Sequence, residues 1–276
     1  MTAAPLLAVD GDSFAHRAYH ALPKSIRLNA VVGFTNMLIR LWESEQPRAV
    51  LVGWDSIGSP TYRSELFPGY QGGREFDDSI LQQLDLLPRL VTALGFVAAK
   101  GAGYEADDFL AAAVAAEEAR GGTSVVATGD RDAFQLASDR TVILFPTKGV
   151  SEIARVGPAE VRERYDVEPA QVPDFIALRG DPSDRLPGAR GVGPKTAADV
   201  LRQYGSLEAA LDAGRFAAEA DALRIFRRIA AMDATAPIPE IPDGQPDWES
   251  GAKLAGEWRL EQLARRLEQR AAGDTQ

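Results

Sequence analysis

Short apolar runs alternate along the chain with segments whose apolar residues recur every three or four positions. Runs of strand length fall at 6–9, 49–53, 96–99, 124–128 and 141–145. Helical periodicity appears at 31–42, 80–94 and 106–120. This alternation predicts βαβ units, so the first half of the chain is expected to be an α/β domain. Its core would be a twisted, mostly parallel sheet with helices on both faces.

The pattern changes near residue 157 to a series of short helices. They are predicted at 160–165, 172–179, 195–204 and 207–212. Four prolines within 235–246 predict an extended connector, and apolar residues spaced along 254–267 predict a C-terminal helix that packs back onto the body. We therefore expect three parts, at 1–150, 151–235 and 236–276.

Acidic residues follow the predicted strands or stand at turn signals between the predicted helices. Nine acids share this placement: Asp10, Asp55, Glu105, Asp107, Asp108, Asp130, Asp132, Asp181 and Asp184. Acids at the ends of parallel strands meet at one edge of the sheet, where ligands normally bind. So many carboxylates repel one another unless cations lie between them, and divalent ions with oxygen ligands are the natural counter-charge. The pattern predicts a metal-dependent nuclease, although Asp10 alone could be a turn residue, and Asp130 and Asp132 could cap a helix.

The net charge of −10 is at first sight unfavourable for a protein that binds nucleic acid. If the nine clustered acids are left out, however, 31 acidic residues remain, against 30 Lys and Arg. The rest of the protein is then nearly neutral. We expect DNA binding through local basic patches, with a modest and salt-sensitive affinity.

The chain has no cysteine, which excludes disulfides and thiolate metal sites. Its first residues contain no basic segment, and the apolar run that follows is too short for a signal peptide or a membrane span. We expect a cytoplasmic protein.

Two glycine-containing segments are candidates for contact with a phosphate backbone. Residues 70–74 (YQGGR) precede the predicted helix at 80–94, and could form a mobile loop that carries Arg74 over the acidic edge. Residues 191–197 (GVGPKTA) join two short helices, and their exposed amides together with Lys195 would attract a phosphate. Pro194 interrupts the Gly-Lys-Thr run, so this is not a Walker loop, and a plain turn between helices is the structural alternative.

These motifs resemble those of the bacterial 5′ to 3′ exonuclease and flap endonuclease family, which includes the N-terminal nuclease domain of DNA polymerase I. The matching blocks are AVDG at 8–11, HRAYHA at 16–21, WD at 54–55, GY at 69–70 with Arg74, GYEADD at 103–108, TGDRD at 128–132 and GDPSD at 180–184 with LPG at 186–188. They run in order from about residue 6 to about residue 240. No polymerase domain accompanies them, so a stand-alone nuclease is expected.

The resemblance implies a PIN-like core at 1–150, an arch or clamp at about 70–95, and a helix-three-turn-helix module at 151–235 that binds duplex DNA. It also implies two divalent ions, Mg or Mn, held by the nine acids, and a potassium ion at the glycine turn. Asp10, Asp55, Glu105 and Asp107 would lie nearer one ion, and Asp130, Asp132, Asp181 and Asp184 nearer the other, with Asp108 behind them.

Further residues acquire roles from the same resemblance. Arg17 and Arg74 would stabilise charge on the phosphate, and Tyr70 would stack on a base at the unpaired end. Contacts to the DNA backbone are expected from Arg63, Gly191, Gly193, Lys195 and Thr196.

Two positions depart from the family pattern. Gln71 stands where the family usually has lysine, so a cation expected near the scissile phosphate is missing. Arg185 stands where the family usually has asparagine, and adds a charge beside Asp184.

Two other functions fit parts of the sequence. A haloacid-dehalogenase-like phosphatase would use Asp10 and Asp12 after the first strand, but that scheme needs Thr or Val where Phe14 stands. A non-catalytic protein that binds DNA junctions would fit the neutral Gln71. Cleavage of a 5′-flap duplex distinguishes the three.

Overall fold

The computed structural model describes residues 4–56, 58–72, 77–148 and 152–273. Six strands lie in these ranges: β1 (Leu6–Asp10), β2 (Ala49–Trp54), β3 (Val97–Lys100), β4 (Ser124–Ala127), β5 (Thr141–Lys148) and β6 (Glu152–Val156). They form one sheet in the order β3-β2-β1-β4-β5-β6. The first five strands run parallel, and β6 pairs antiparallel with β5.

All five predicted strands are present, whereas β6 was not predicted. Only Val156 of this edge strand is fully buried, so it lacks the continuous apolar run of the central strands. Because β6 belongs to the sheet, the core extends beyond its expected boundary at residue 150.

Twelve α-helices lie in the described ranges. They are α1 (Gly11–Ala21), α2 (Asn29–Glu45), α3 (Tyr62–Leu66), α4 (Asp78–Ala93), α5 (Ala106–Ala119), α6 (Pro158–Tyr165), α7 (Val172–Arg179), α8 (Pro194–Tyr204), α9 (Leu207–Asp212), α10 (Ala220–Ala230), α11 (Trp248–Glu257) and α12 (Glu261–Gly273). Seven helices predicted before the connector are present within a few residues of their expected bounds. Helices α1, α3 and α10 were not predicted, and the chain forms α11 and α12 where one C-terminal helix was expected.

Helices cover both faces of the sheet, as predicted. One apolar cluster joins one face to α1, α2, α4, α11 and α12, with Phe34 and Leu87 among its buried members. A second cluster joins the other face to α5 and the helices from α6 to α10, with Phe109 and Phe175 among its members.

Helix α4 is a crossover helix of the core, so its residues do not form the arch expected at about 70–95. Ile80, Leu84 and Leu87 are buried, and the helix contacts α1, α2, α11 and strands β2 and β3. Amphipathic spacing drives this packing, and Pro88 is accommodated inside the helix. The expected loop carrying Arg74 falls at 73–76, outside the described residues.

The C-terminal part packs back onto the body, as predicted. Trp248 is buried, and its ring meets those of Trp42 and Phe96 at centroid distances of 5.6 and 6.4 Å. The N–H of Asp247 donates to the carbonyl of Leu94. None of the helices in the described ranges combines the length and apolar character needed to cross a membrane.

Candidate metal centre and active site

The carboxyl edge of the sheet opens into a cavity of about 540 Å³. Strand polarity creates this site, because β1 ends at Asp10, β2 is followed at once by Asp55, and β4 leads into the turn that contains Asp130. Seven of the nine predicted acids line the cavity: Asp10, Asp55, Glu105, Asp107, Asp130, Asp132 and Asp184. The predicted convergence of acids is therefore present for these seven.

Hydrogen bonds fix the strand-end acids to one another. Asp10 caps α1 by accepting from the Ser13 N–H at 2.9 Å, and its other oxygen accepts from the Thr128 hydroxyl at 2.7 Å. That hydroxyl accepts in turn from the N–H of Asp130 at 3.0 Å. The N–H of Asp132 donates to Asp130 at 2.9 Å. These bonds hold the carboxylates of Asp10 and Asp130 and the backbone of Asp132 together.

Gly129 is needed at this turn because two side chains occupy the space beside it. A Cβ there would lie 2.8 Å from Arg17 Nη2 and 2.8 Å from Ser13 Oγ. Arg17, which was expected to act on the phosphate, is half-buried and lies against this turn. Its guanidinium is therefore adjacent to the acidic edge.

Asp12 is an additional acid of the cavity that the nine-acid pattern missed. It is buried, lines the cavity and accepts from the N–H of Asp55 at 2.7 Å. Asp55 accepts in turn from the N–H of Ala106 at 2.7 Å, which joins β2 to the start of α5. The signal for Asp12 in the sequence is its position two residues after Asp10, directly behind the first strand.

Tyr70, which was expected to stack on a base, lines the cavity but is nearly buried. Its side chain belongs to the second apolar cluster and is 8% exposed. The hydroxyl donates to Glu105 Oε2 at 2.8 Å and accepts from the Gln71 amide at 2.7 Å. In this structure the Tyr70 hydroxyl therefore holds Glu105, and stacking on a base stays a prediction.

Arg63 was expected to contact DNA, but it is 1% exposed. Its guanidinium donates to both oxygens of Asp108 at 2.8 and 2.9 Å, to Asp107 at 3.0 Å and to the carbonyl of Ile229 at 2.9 Å. Burial lowers the pKa of Arg63, but the charges of Asp107, Asp108 and Glu105 outweigh this effect and raise it. A charged, fully engaged and buried side chain is a counter-ion within the protein, not a surface contact.

Asp108 is likewise not available to a metal in this structure. It is 0% exposed, and besides Arg63 it accepts from the Tyr62 hydroxyl and the N–H groups of Glu105 and Asp233. All its acceptor capacity is directed at the protein interior. Its expected place behind the other acids fits this geometry, whereas direct ligation does not.

Asp181 lies in the loop between α7 and α8 and does not line the cavity. One of its oxygens accepts from the N–H of Ser183 at 2.8 Å and from the Ser183 hydroxyl, and the other from Arg179 at 3.3 Å. Asp184, three residues on, does reach the cavity. The loop therefore presents one of its two acids directly.

Burial and repulsion from neighbouring acids raise the pKa values of five carboxylates that line the cavity. Burial, with the nearby charges of Asp55 and Asp130, raises the pKa of Asp10 to about 7. The pKa of Asp132 also lies well above its usual range, because it is buried near other acids. The pKa values of Asp12, Glu105 and Asp107 are raised for the same two reasons. The cavity is short of positive charge.

One buried carboxylate oxygen of the cavity also lacks a hydrogen-bond donor among the described residues. Oδ1 of Asp107 has no hydrogen-bond partner among the described residues, although its Oδ2 is held by Arg63. Leaving a buried acceptor unpaired is costly, and an oxygen-seeking divalent ion would satisfy it. Within the ranges described, no group of three or more His, Cys, Asp or Glu side chains has metal-site geometry as it stands. The acids fit a divalent ion by chemistry, and would have to turn inward to bind one.

The glycine turn expected to bind DNA is exposed at the start of α8. Gly191 has a φ of +74°, which favours glycine, and Gly193 precedes the helix without a side-chain cap. Lys195 and Thr196 are exposed. The free amides and the cation therefore face solvent where a phosphate could reach them.

The sheet order, the acidic cavity at its carboxyl edge and the helical second part define an α/β nuclease with an acidic site. Residues 5–166 match the family model of the 5′-3′ exonuclease N-terminal resolvase-like domain, and residues 167–244 match that of the 5′-3′ exonuclease C-terminal SAM fold. The chain therefore belongs to the 5′-3′ exonuclease family.

Curated relatives support this membership. The chain is 44% identical over 215 residues to DNA polymerase I of Mycobacterium leprae, covering 75% of this chain and 24% of that protein. It is 41% identical over 209 residues to DNA polymerase I of Bacillus caldotenax, covering 74% of this chain and 24% of that protein. The chain thus spans about a quarter of the length of these relatives.

Solved structures share the fold. The T5 5′-exonuclease with bound zinc ions has a TM-score of 0.72 at 18% identity, over 96% of this chain and 98% of that one. Human GEN1 in complex with Holliday junction DNA has a TM-score of 0.60 at 12% identity, over 94% of this chain and 68% of that one. The likeness in fold thus reaches from a phage enzyme to a human protein.

Proposed function

We propose that this protein hydrolyses DNA phosphodiesters at 5′ ends and flap junctions, in replication and repair. The observation that carries the proposal is the acidic cavity, with its unpaired buried oxygen on Asp107, in a member of the 5′-3′ exonuclease family. The bacterial relatives keep their DNA in the cytoplasm, so we propose that location as well.

We propose two divalent ions, Mg or Mn, as cofactors. Carboxylates from the strand ends and α5 would hold one ion: Asp10, Asp55, Glu105 and Asp107. Acids from the turn after β4 and the loop after α7 would hold the other: Asp130, Asp132, Asp184 and, through its neighbours, Asp181. When bound, the ions supply a water of lowered pKa and neutralise charge on the leaving oxygen.

The chain itself would bind and orient the DNA. We propose that the helices from 158 to 230 form the DNA-binding module, and that the amides at Gly191 and Gly193 with Lys195 and Thr196 grip the duplex backbone without reading sequence. A potassium ion at this turn is part of the proposal. Arg17, beside the acidic edge, and Arg74 would stabilise charge on the phosphate.

A labelled 5′-flap duplex, incubated with Mg, Mn or EDTA, tests the proposal. Wild-type protein is expected to cleave near the junction only with a divalent ion. The double variant Asp130→Ala, Asp132→Ala should abolish cleavage yet keep duplex affinity, or tighten it, because two negative charges are removed. The matched control Asp85→Ala, Glu240→Ala removes two exposed acids away from the cavity and should cleave normally.

Two outcomes would contradict the proposal. Substantial cleavage by the Asp130, Asp132 double variant would remove these acids from the metal centre. Tight flap binding by wild-type protein with no cleavage in either metal would instead favour a non-catalytic DNA-junction binder, which the neutral Gln71 makes the second candidate.

A further inference from the structure

Gln71 connects two carboxylates that line the cavity, those of Glu105 and Asp184. Its side-chain amide donates to the Tyr70 hydroxyl at 2.7 Å and to Asp184 Oδ1 at 3.0 Å. The Tyr70 hydroxyl donates onward to Glu105 Oε2 at 2.8 Å. A continuous chain of three hydrogen bonds thus runs from Glu105 to Asp184.

In this network of three hydrogen bonds, every side-chain N–H and O–H group of Gln71 and Tyr70 donates. Both N–H groups of the Gln71 amide donate, one to Tyr70 and one to Asp184. The Tyr70 hydroxyl donates its single proton to Glu105 and accepts from Gln71. The order of donors is therefore fixed, and each end of the network is a carboxylate oxygen that accepts. Such a network holds its members in one arrangement.

The backbone at Gln71 strengthens the same connection. The residue adopts a left-handed conformation with a φ of +47°, and its N–H donates to the carbonyl of Asp184 at 3.3 Å. Gly72, next along the chain, lies close to Arg185, since a Cβ there would be 3.3 Å from Nη1. The turn at 69–72 is thus docked on the loop that carries Asp184.

The connection joins two separate parts of the molecule. Glu105 directly precedes α5 in the part matched by the N-terminal family model, and Asp184 lies in the part matched by the C-terminal one. Gln71 and Tyr70 are the side chains that span the gap between these two acids. Without them, the two carboxylates would be set independently by their own domains.

An amide differs from a cation in what it does to Asp184. A lysine beside this carboxylate would form an ion pair and neutralise it, whereas an amide orients the oxygen and leaves its charge in place. An oriented carboxylate that keeps its charge is a better partner for a divalent ion.

We propose that Gln71 is a positioning residue that, through Tyr70, holds Glu105 and Asp184 in register for divalent-metal binding. This inference rests on the proposed metal centre and deepens it. From the sequence, Gln71 only removes the lysine expected near the scissile phosphate. The proposal instead gives Gln71 a role of its own, in metal affinity.

Metal titration without DNA tests the proposal. Gln71→Met keeps the length of the side chain but removes both donors, and Tyr70→Phe removes the hydroxyl at the centre of the chain. Each should weaken Mn²⁺ binding about tenfold or more, measured from the free-ion signal in electron paramagnetic resonance, because residues that orient metal ligands typically carry that much affinity. The double variant should lose little more than either single variant, since one network is broken in each case.

Controls separate positioning from general damage. Gln82→Met changes an exposed glutamine on α4 and should leave Mn²⁺ affinity unchanged. Circular dichroism melts should show that all variants are folded at the titration temperature. In a cleavage assay, Gln71→Met should recover most of its rate at saturating metal, with an unchanged KM for DNA.

Wild-type Mn²⁺ affinity in Gln71→Met would overturn the proposal. If wild-type protein bound no Mn²⁺, the proposal would fall together with the metal centre. If wild-type protein bound Mn²⁺ tightly but cleaved no DNA, the nuclease proposal would fail while the weaker binding by Gln71→Met still supported the role of Gln71.

Discussion

Replacing Arg63 with methionine should destabilise the metal-free protein severely. Arg63 is 1% exposed, and its hydrogen bonds and ion pairs compensate the charges of Asp107, Asp108 and Glu105. Methionine fills a similar volume but leaves these three acids without their buried cation. Breaking a buried ion pair from one side typically costs about 3–5 kcal/mol.

The size of this loss distinguishes a buried counter-ion from a surface contact. For a chain of this size the loss corresponds to a fall in Tm of roughly 6–20 °C. An exposed arginine would change stability by at most about 0.5 kcal/mol. The control Arg120→Met, at an exposed position, should therefore melt within a few degrees of wild type.

Differential scanning fluorimetry in EDTA measures these shifts, and a repeat with saturating Mn²⁺ provides a second readout. A bound divalent ion would supply part of the missing positive charge, so the Tm deficit of Arg63→Met should shrink when metal is added. Adding Asp108→Leu to Arg63→Met should also recover stability, because it removes a carboxylate left uncompensated.

A small Tm shift combined with a clear loss of duplex affinity would refute this reasoning. That result would mean that Arg63 leaves its buried site and contacts DNA, as the family resemblance suggests. Retained stability without any change in affinity would also refute it, since the buried charges would then need no partner.

Three further predictions concern the pH response, the glycine turn and the C-terminal helices. Because the pKa of Asp10 is raised to about 7 in the folded protein, the folded state holds this proton more tightly, and the free energy of unfolding in EDTA should fall as pH rises from about 4 to 7. Asp10→Asn should reduce that slope by up to about 1.4 kcal/mol per pH unit in urea titrations, and an unchanged slope would contradict the assignment. Lys195→Ala should weaken duplex binding and reduce the salt slope by about one unit, whereas equal slopes would make 191–197 a structural turn. Trp248→Ala should cost about 3–5 kcal/mol of stability in urea unfolding, and a loss below 1 kcal/mol would mean that α11 is not part of the core.

The sequence alone determined the five parallel strands of the sheet and most of the acids at its edge. Parallel strands all point the same way, so residues that follow an apolar run must lie at one edge whatever the rest of the chain does. Asp10, Asp55 and Asp130 are placed by this local rule, and the structure brings them to one cavity. Helices with a strong apolar stripe, such as α2 and α4, were also predictable, because the spacing of their apolar residues is a local property of the sequence.

Only the tertiary structure decided which charged side chains face the cavity and which are buried behind it. Asp107 and Asp108 are neighbours in the sequence and both bind Arg63, yet Asp107 lines the cavity whereas Asp108 is completely buried behind it. The N–H that completes the environment of Asp108 belongs to Asp233, 125 residues further on. Pairings over such distances depend on how the helices pack, and no local pattern encodes them. The contact between Gln71 and Asp184 has the same origin, because it forms only when the two parts of the molecule meet.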